Sequence, residues 1–135
     1  MNEPFDRLES AVATATLDGI FRLNARRHPD GLALIDPPNR PVFTGGTARQ
    51  LSYVQAEHAI AALATRLRDL ALPQGCAVGL QLPNTVESIV AILAAISAGL
   101  VPAPLPLLWQ PQETVRALRA IDAGALITCG RVAET

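Results

Sequence analysis

The side chains able to do chemistry in this sequence are few and poorly spaced for it. His28 and His58 are the two histidines, and each could serve as a general base near neutral pH. His28 stands beside Pro29 at the end of a predicted helix, and His58 lies inside another with no obvious Asp or Cys partner. Cys76 and Cys129 are 53 residues apart, form no C-x-x-C pair and lie near neither histidine. Metal binding is therefore unsupported, and both are expected to be buried, reduced thiols beside strands. Glu87 could act as an acid, but Asn84 with Glu87 three residues later reads as a helix capping box. The double glycine Gly45-Gly46 could cradle a phosphate only if a helix began just after it. Ala48-Arg49-Gln50 is no such start, so the pair reads as a turn. The patterns G-x-x-x-x-G-K-[ST], G-x-G-x-x-G and G-x-S-x-G are all missing. Trp109, the single tryptophan, is expected in core or interface packing. No position is therefore assigned a catalytic, cofactor-binding or metal-binding role.

The elements that would position such groups are easier to read. Residues 1–15 form a lead-in, and residues 16–135 an α/β unit. Thr16 suits an N-cap, and Leu17, Ile20, Phe21 and Ala25 mark a helix to about Arg27. Leu32–Ile35 is a short strand, Asp36-Pro37-Pro38-Asn39 a turn, and Pro41–Thr44 the expected hairpin partner. Gln50-Leu51-Ser52 ends a strand that feeds a helix running to about Leu72, with Ser52 and Gln55 as a capping box. Ala56, Ile60, Leu63, Ala64, Leu67 and Leu70 place one apolar face on it. A strand at 77–82, a helix at 85–98, a strand at 100–103, a helix at about 111–121 and a strand at 125–128 follow. Strands alternating with helices in this way predict right-handed crossovers and a parallel sheet.

Between Glu87 and Glu113 lie 25 consecutive residues with no charge. A membrane helix needs about 20 apolar residues, so length alone would permit a span. Gly99 and the prolines at 102, 104 and 106 break the run into a buried helix and a strand, and no span is expected. Apolar residues make up 50% of the chain and charged residues 17%, below the roughly 25% of an ordinary globular surface. Some of this surface is therefore expected to be covered, by a downstream domain or by a second copy of the chain. The net charge of −1 and the lack of a basic stripe argue against nucleic acid as a partner. Glu3, Asp6, Arg7 and Glu9 interrupt any apolar leader, so a cytoplasmic location is expected.

Several local patterns, in their order, carry a resemblance. They are Thr16-Leu17-x3-Phe21-x3-Ala25-x2-His28-Pro29-Asp30, then Leu51-Ser52-Tyr53, then Val78-x-Leu80-x-Leu82-Pro83-Asn84-x2-Glu87. Ala94-Ala95-Ile96-x-Ala98-Gly99-x-Val101-Pro102 and Asp122–Thr128 complete the set. Together they resemble the N-terminal part of the adenylate-forming superfamily of acyl-CoA synthetases, luciferases and peptide-synthetase adenylation domains. The chain departs from that pattern at Gly75-Cys76 and at the run from Pro102 to Trp109. The resemblance implies an incomplete N-terminal α/β subdomain of a ligase. The parent enzyme would use ATP and Mg²⁺ to convert a carboxylic acid to an acyl-adenylate, then to a thioester with coenzyme A, as in fatty acid metabolism. It also implies that the ATP-binding groups and most of the acid pocket lie downstream. The chain is thus expected to be a fragment, inactive by itself, with downstream domains of the same polypeptide as partners. Two alternatives remain: part of a peptide-synthetase adenylation domain, or a non-enzymatic module that self-associates or binds a partner.

Overall fold

The computed structural model describes residues 16–130; the expected lead-in at 1–15 lies outside them. Helix α1 (Leu17–Arg27) opens on Thr16, whose hydroxyl accepts from the Gly19 N–H at 3.2 Å. Strand β1 (Leu32–Ile35) follows, then the short helix α2 (Arg40–Thr44), strand β2 (Gln50–Ser52) and helix α3 (Tyr53–Asp69). Both halves of the Ser52–Gln55 capping box form, at 3.3 and 2.9 Å. Next come β3 (Ala77–Gln81), α4 (Val86–Ser97), β4 (Val101–Pro104), α5 (Pro111–Ala120) and β5 (Ala125–Thr128).

The expected hairpin partner at Pro41–Thr44 is instead α2. Pro41 has no N–H to give a strand ladder, but it costs nothing in the first turn of a helix. Gly45 then ends the helix at φ +70°, returning its N–H to the Pro41 carbonyl at 3.2 Å. The true antiparallel partner of β1 is β2, and the Asp36 N–H continues that ladder to the Arg49 carbonyl at 2.9 Å.

The other sheet is parallel throughout, in the order β4-β3-β5. Strand β4 carries Pro102 and Pro104, which a central strand would not tolerate. Here the odd residues face the neighbour: Val101 and Leu105 donate to the Cys76 and Leu80 carbonyls at 3.0 and 2.9 Å. The two proline nitrogens therefore point away from β3, on an edge. Alternation along β3 divides the sheet faces. Val78 and Leu80 are buried in the cluster formed with α3 and α4, which also takes in Ile60, Leu67, Val90 and Leu93. Ala56, Ala64, Ala91, Ala94 and Ala95 are almost fully buried, and these small side chains let α3 and α4 approach closely. The charge-free run is thus a core helix followed by an edge strand. Among the described residues no helix is long and apolar enough to cross a membrane.

Gly79, between Val78 and Leu80, faces the opposite side and receives α5. A Cβ built there would lie 2.4 Å from Leu118 Cδ2, 3.1 Å from Leu126 Cδ1 and 3.3 Å from Leu105 Cδ1. A side chain at this position must displace three leucines at once. Gly79→Val is expected to lower stability by about 1–3 kcal/mol, as overpacking does. Urea unfolding measures the change, and an unchanged midpoint would refute this account of the α5 seat.

Candidate functional site

The polar centre of the molecule is Asp36, in the segment read from sequence as a plain turn. Its side chain is fully buried. Oδ1 accepts from the Val86 N–H at 2.8 Å, and Oδ2 accepts from the Arg49 N–H at 2.8 Å and from Arg40. Val86 is the first residue of α4, so this carboxylate caps α4 from 50 positions upstream. The expected local capping box at Asn84 and Glu87 does not form. The cap position is Thr85, which makes no side-chain cap bond, and Asn84 is exposed. Released from that task, the Glu87 carboxylate accepts from Arg40 at 2.8 Å and also from Arg49. Two acids and two guanidinium groups thus join the β1–β2 unit and α2 to the N-terminus of α4.

Burial by itself pushes the Asp36 carboxyl up, but hydrogen bonds from Val86, Arg40 and Arg49, with the Arg40 charge, outweigh it. The group is held below the usual carboxylate range. Glu87 behaves alike: burial raises it, while Arg40 and the charge of Arg49 bring it down. Arg40 is raised by its bonds to Glu87 and Asp36. These shifts keep Asp36, Glu87 and Arg40 charged at neutral pH.

Beside this cluster lies a cleft of about 670 Å³, within the size range of small-molecule sites. Leu51, Leu63, Leu82, Val90 and Ile127 supply apolar wall, and Arg40, Arg49 and Glu87 its polar part. Thr128 at the end of β5, with Cys129 and Gly130 after it, completes the lining together with Pro83 after β3. The cleft thus includes carboxyl ends of parallel strands, where open α/β sheets bind ligands. It could enclose an apolar group, and among the described residues no nucleophile is aligned with a base there.

The groups weighed from sequence are scattered. His28 ends α1, and His58 is exposed on α3. Cys76 and Cys129 are free thiols, as expected, though only half-buried; Cys129 lines the cleft. Trp109 is 37% exposed rather than in the core. Gly45 closes α2 and the segment directly after Gly46 is not a helix but leads into β2, so the pair is a turn. Among the described residues no three of His, Cys, Asp and Glu converge as a metal site would require. Arg40 and Arg49 are already matched by Asp36 and Glu87, so these residues do not fit a triphosphate or its Mg²⁺. Sequence reading missed the Asp36–Arg40 pair, although its i, i+4 spacing next to prolines is visible; the contact to Val86 leaves no local signal.

Asp36→Asn removes the charge while keeping shape, and is expected to destabilise the fold by about 3 kcal/mol, since Arg40 loses a buried counter-charge. The acid limb should change with it. A carboxyl whose folded pKa is depressed adds stability above its unfolded pKa, and this is lost as pH falls through the folded value. Native stability should therefore decline on acidification below about pH 4, the ordinary carboxylate range. The Asn variant should show a flatter decline. Denaturant titrations between neutral pH and strong acid test both, and parallel limbs would exclude the Asp36 contribution.

This arrangement of sheet and helices recurs in proteins of stated function. Residues 21–135 match the family described as AMP-binding enzyme. The chain is 36% identical over 104 residues to a salicyl-AMP ligase / salicyl-S-ArCP synthetase of Mycobacterium tuberculosis, covering 73% of this chain and 18% of that protein. It is 34% identical over 113 residues to the phosphinothricin tripeptide synthetase PhsC of Streptomyces viridochromogenes, covering 84% of this chain and 10% of the synthetase. The N-terminal subdomain of Klebsiella oxytoca NpsA, solved with 3-hydroxybenzoyl-AMSN, superposes with a TM-score of 0.69 at 25% identity, over 83% of this chain and 26% of that one. The chain thus spans about a fifth or less of the curated relatives named here. Its fold is that of the N-terminal subdomain of adenylate-forming enzymes, and the chain belongs to the AMP-binding enzyme family.

Proposed function

We propose that the enzyme to which this chain contributes activates a carboxylic acid with ATP and passes the acyl group to a carrier-protein thiol. A carboxylate oxygen attacks the α-phosphorus of ATP and pyrophosphate leaves. The thiol sulfur then attacks the acyl carbonyl, and AMP leaves. The observation that carries this is the family match over residues 21–135, joined to the identity with a salicyl-AMP ligase and a tripeptide synthetase. Those names describe an aryl adenylate, an aryl thioester on ArCP, and peptide assembly. They favour an aryl or amino acid over the fatty acid expected from an acyl-CoA synthetase. They equally favour a phosphopantetheine arm over free coenzyme A as acceptor. Family membership weighs against a stand-alone, non-enzymatic module.

In this proposal residues 16–135 are scaffold. The groups that hold ATP and Mg²⁺ come from other parts of the enzyme, because the two arginines of the cleft, Arg40 and Arg49, are already paired with Asp36 and Glu87. Downstream domains of the same polypeptide would then cover the low-charge surface. The 135 residues alone would be inactive, and the use of ATP accords with the expected cytoplasmic location.

The test is ATP–pyrophosphate exchange by a polypeptide carrying this chain, supplied in turn with aryl acids, amino acids and fatty acids. Exchange with an aryl or amino acid, followed by acyl transfer to a phosphopantetheinylated carrier, is the expected result. Exchange with fatty acids alone and transfer to coenzyme A would restore the acyl-CoA synthetase reading. The isolated 135-residue chain is expected to stay at background with every acid.

A further inference from the structure

Gln81 ends the central strand β3, and its carboxamide reaches into the connection between β4 and α5. Nε2 donates to the Pro106 carbonyl at 3.1 Å, the Trp109 carbonyl at 3.3 Å and Thr114 Oγ1 at 3.1 Å. Two N–H bonds serve three acceptors, so at least one is shared. The Trp109 N–H returns to the Pro106 carbonyl at 3.3 Å, closing residues 106–109 into a turn. Thr114 is buried, and its hydroxyl donates to the Gln110 carbonyl at 3.4 Å; the Gln110 N–H is taken by Glu113 at 2.8 Å. Pro104, Pro106 and Pro111 restrict the same backbone.

The tip of this turn is unusual for so constrained a segment. Leu108 is 87% exposed and Trp109 37%. Exposed connections with few buried contacts ordinarily open easily. Here the carbonyls at both ends of the turn, Pro106 and Trp109, are fixed to one side chain on the best-buried strand of the sheet. The turn also follows β4 directly, at the carboxyl end of the parallel strands.

We propose that Gln81 is a positioning residue: its carboxamide holds turn 106–109 as a fixed rim at the carboxyl end of the sheet rather than as a mobile flap. Only a donor can do this, because all three partners present oxygen. The proposal does not rest on the adenylation reading.

Hydrogen exchange and hydroxyl-radical footprinting, both read by peptide mass, test it on the polypeptide carrying the chain. In the native protein the peptide spanning 104–114 should exchange slowly, and Trp109 should label at the rate set by its 37% exposure. Gln81→Glu keeps the shape and loses the donors. It should speed exchange in that peptide about tenfold, the equivalent of one lost hydrogen bond, and raise Trp109 labelling. Protection in α3 and α4 should stay as it was. If the Glu variant does not fold, Gln81→Asn, the same amide one methylene shorter, should loosen the same peptide. The proposal is overturned if the native turn exchanges like free peptide or if the variant keeps native rates. Equal loss of protection across α3 and α4 would also overturn it, since Gln81 would then act on the whole fold.

Discussion

One buried carboxylate, Asp36, joins the antiparallel β1–β2 sheet to α4, the helix packed on the parallel sheet. It is bonded to the backbone of β2's approach at Arg49, to the side chain of α2 at Arg40 and to the first N–H of α4 at Val86. Each bond would be ordinary alone. Together they bring a charge out of water with all its needs met, which is the condition under which a buried ion is tolerated. The same geometry leaves Glu87 free to bridge Arg40 and Arg49, so the junction is neutral as a whole. The apolar cleft beside it owes part of its wall to this junction.

On the far side of the junction the parallel sheet is arranged around β3. Val78 and Leu80 serve one layer, and the missing side chain of Gly79 makes room for the other. The edge position of β4 is what makes its prolines compatible with a ladder. For the proposed chemistry these features supply framework: a sheet whose carboxyl ends are available. The curated relatives named above far exceed this chain in length.

Much of the fold was legible in the residues. Periodic helices such as Tyr53–Asp69, caps such as Ser52 with Gln55, and the strand–helix alternation from Ser52 onward all rest on local signals, and they appear where expected, to within a few residues. The failures share one cause. The turn at Asp36–Asn39 suggests a hairpin partner at Pro41–Thr44, but the partner of β1 is Gln50–Ser52. Glu87 was read as a local cap because its spacing from Asn84 suits one, but a distant carboxylate had taken the cap site. Propensity and spacing see neighbours in sequence, and these outcomes were decided by neighbours in space. Family membership was legible for the complementary reason that it is carried by ordered local motifs. The choice between coenzyme A and a carrier thiol was not, because neither contacts these residues in the proposed arrangement.

The 50-residue separation between Asp36 and Val86 bears on how the chain acquires its structure. Bringing two such positions together costs loop-closure entropy that a helix turn or hairpin avoids. Contacts this remote in sequence slow folding. During synthesis, Asp36 and Arg40 leave the ribosome well before the N–H that completes their network exists. The first antiparallel sheet can form early, with its acid still hydrated. The buried network around the acid can be completed only once α4 has been made, so on a growing chain its last bond must come after the local contacts of β1 and β2 are available.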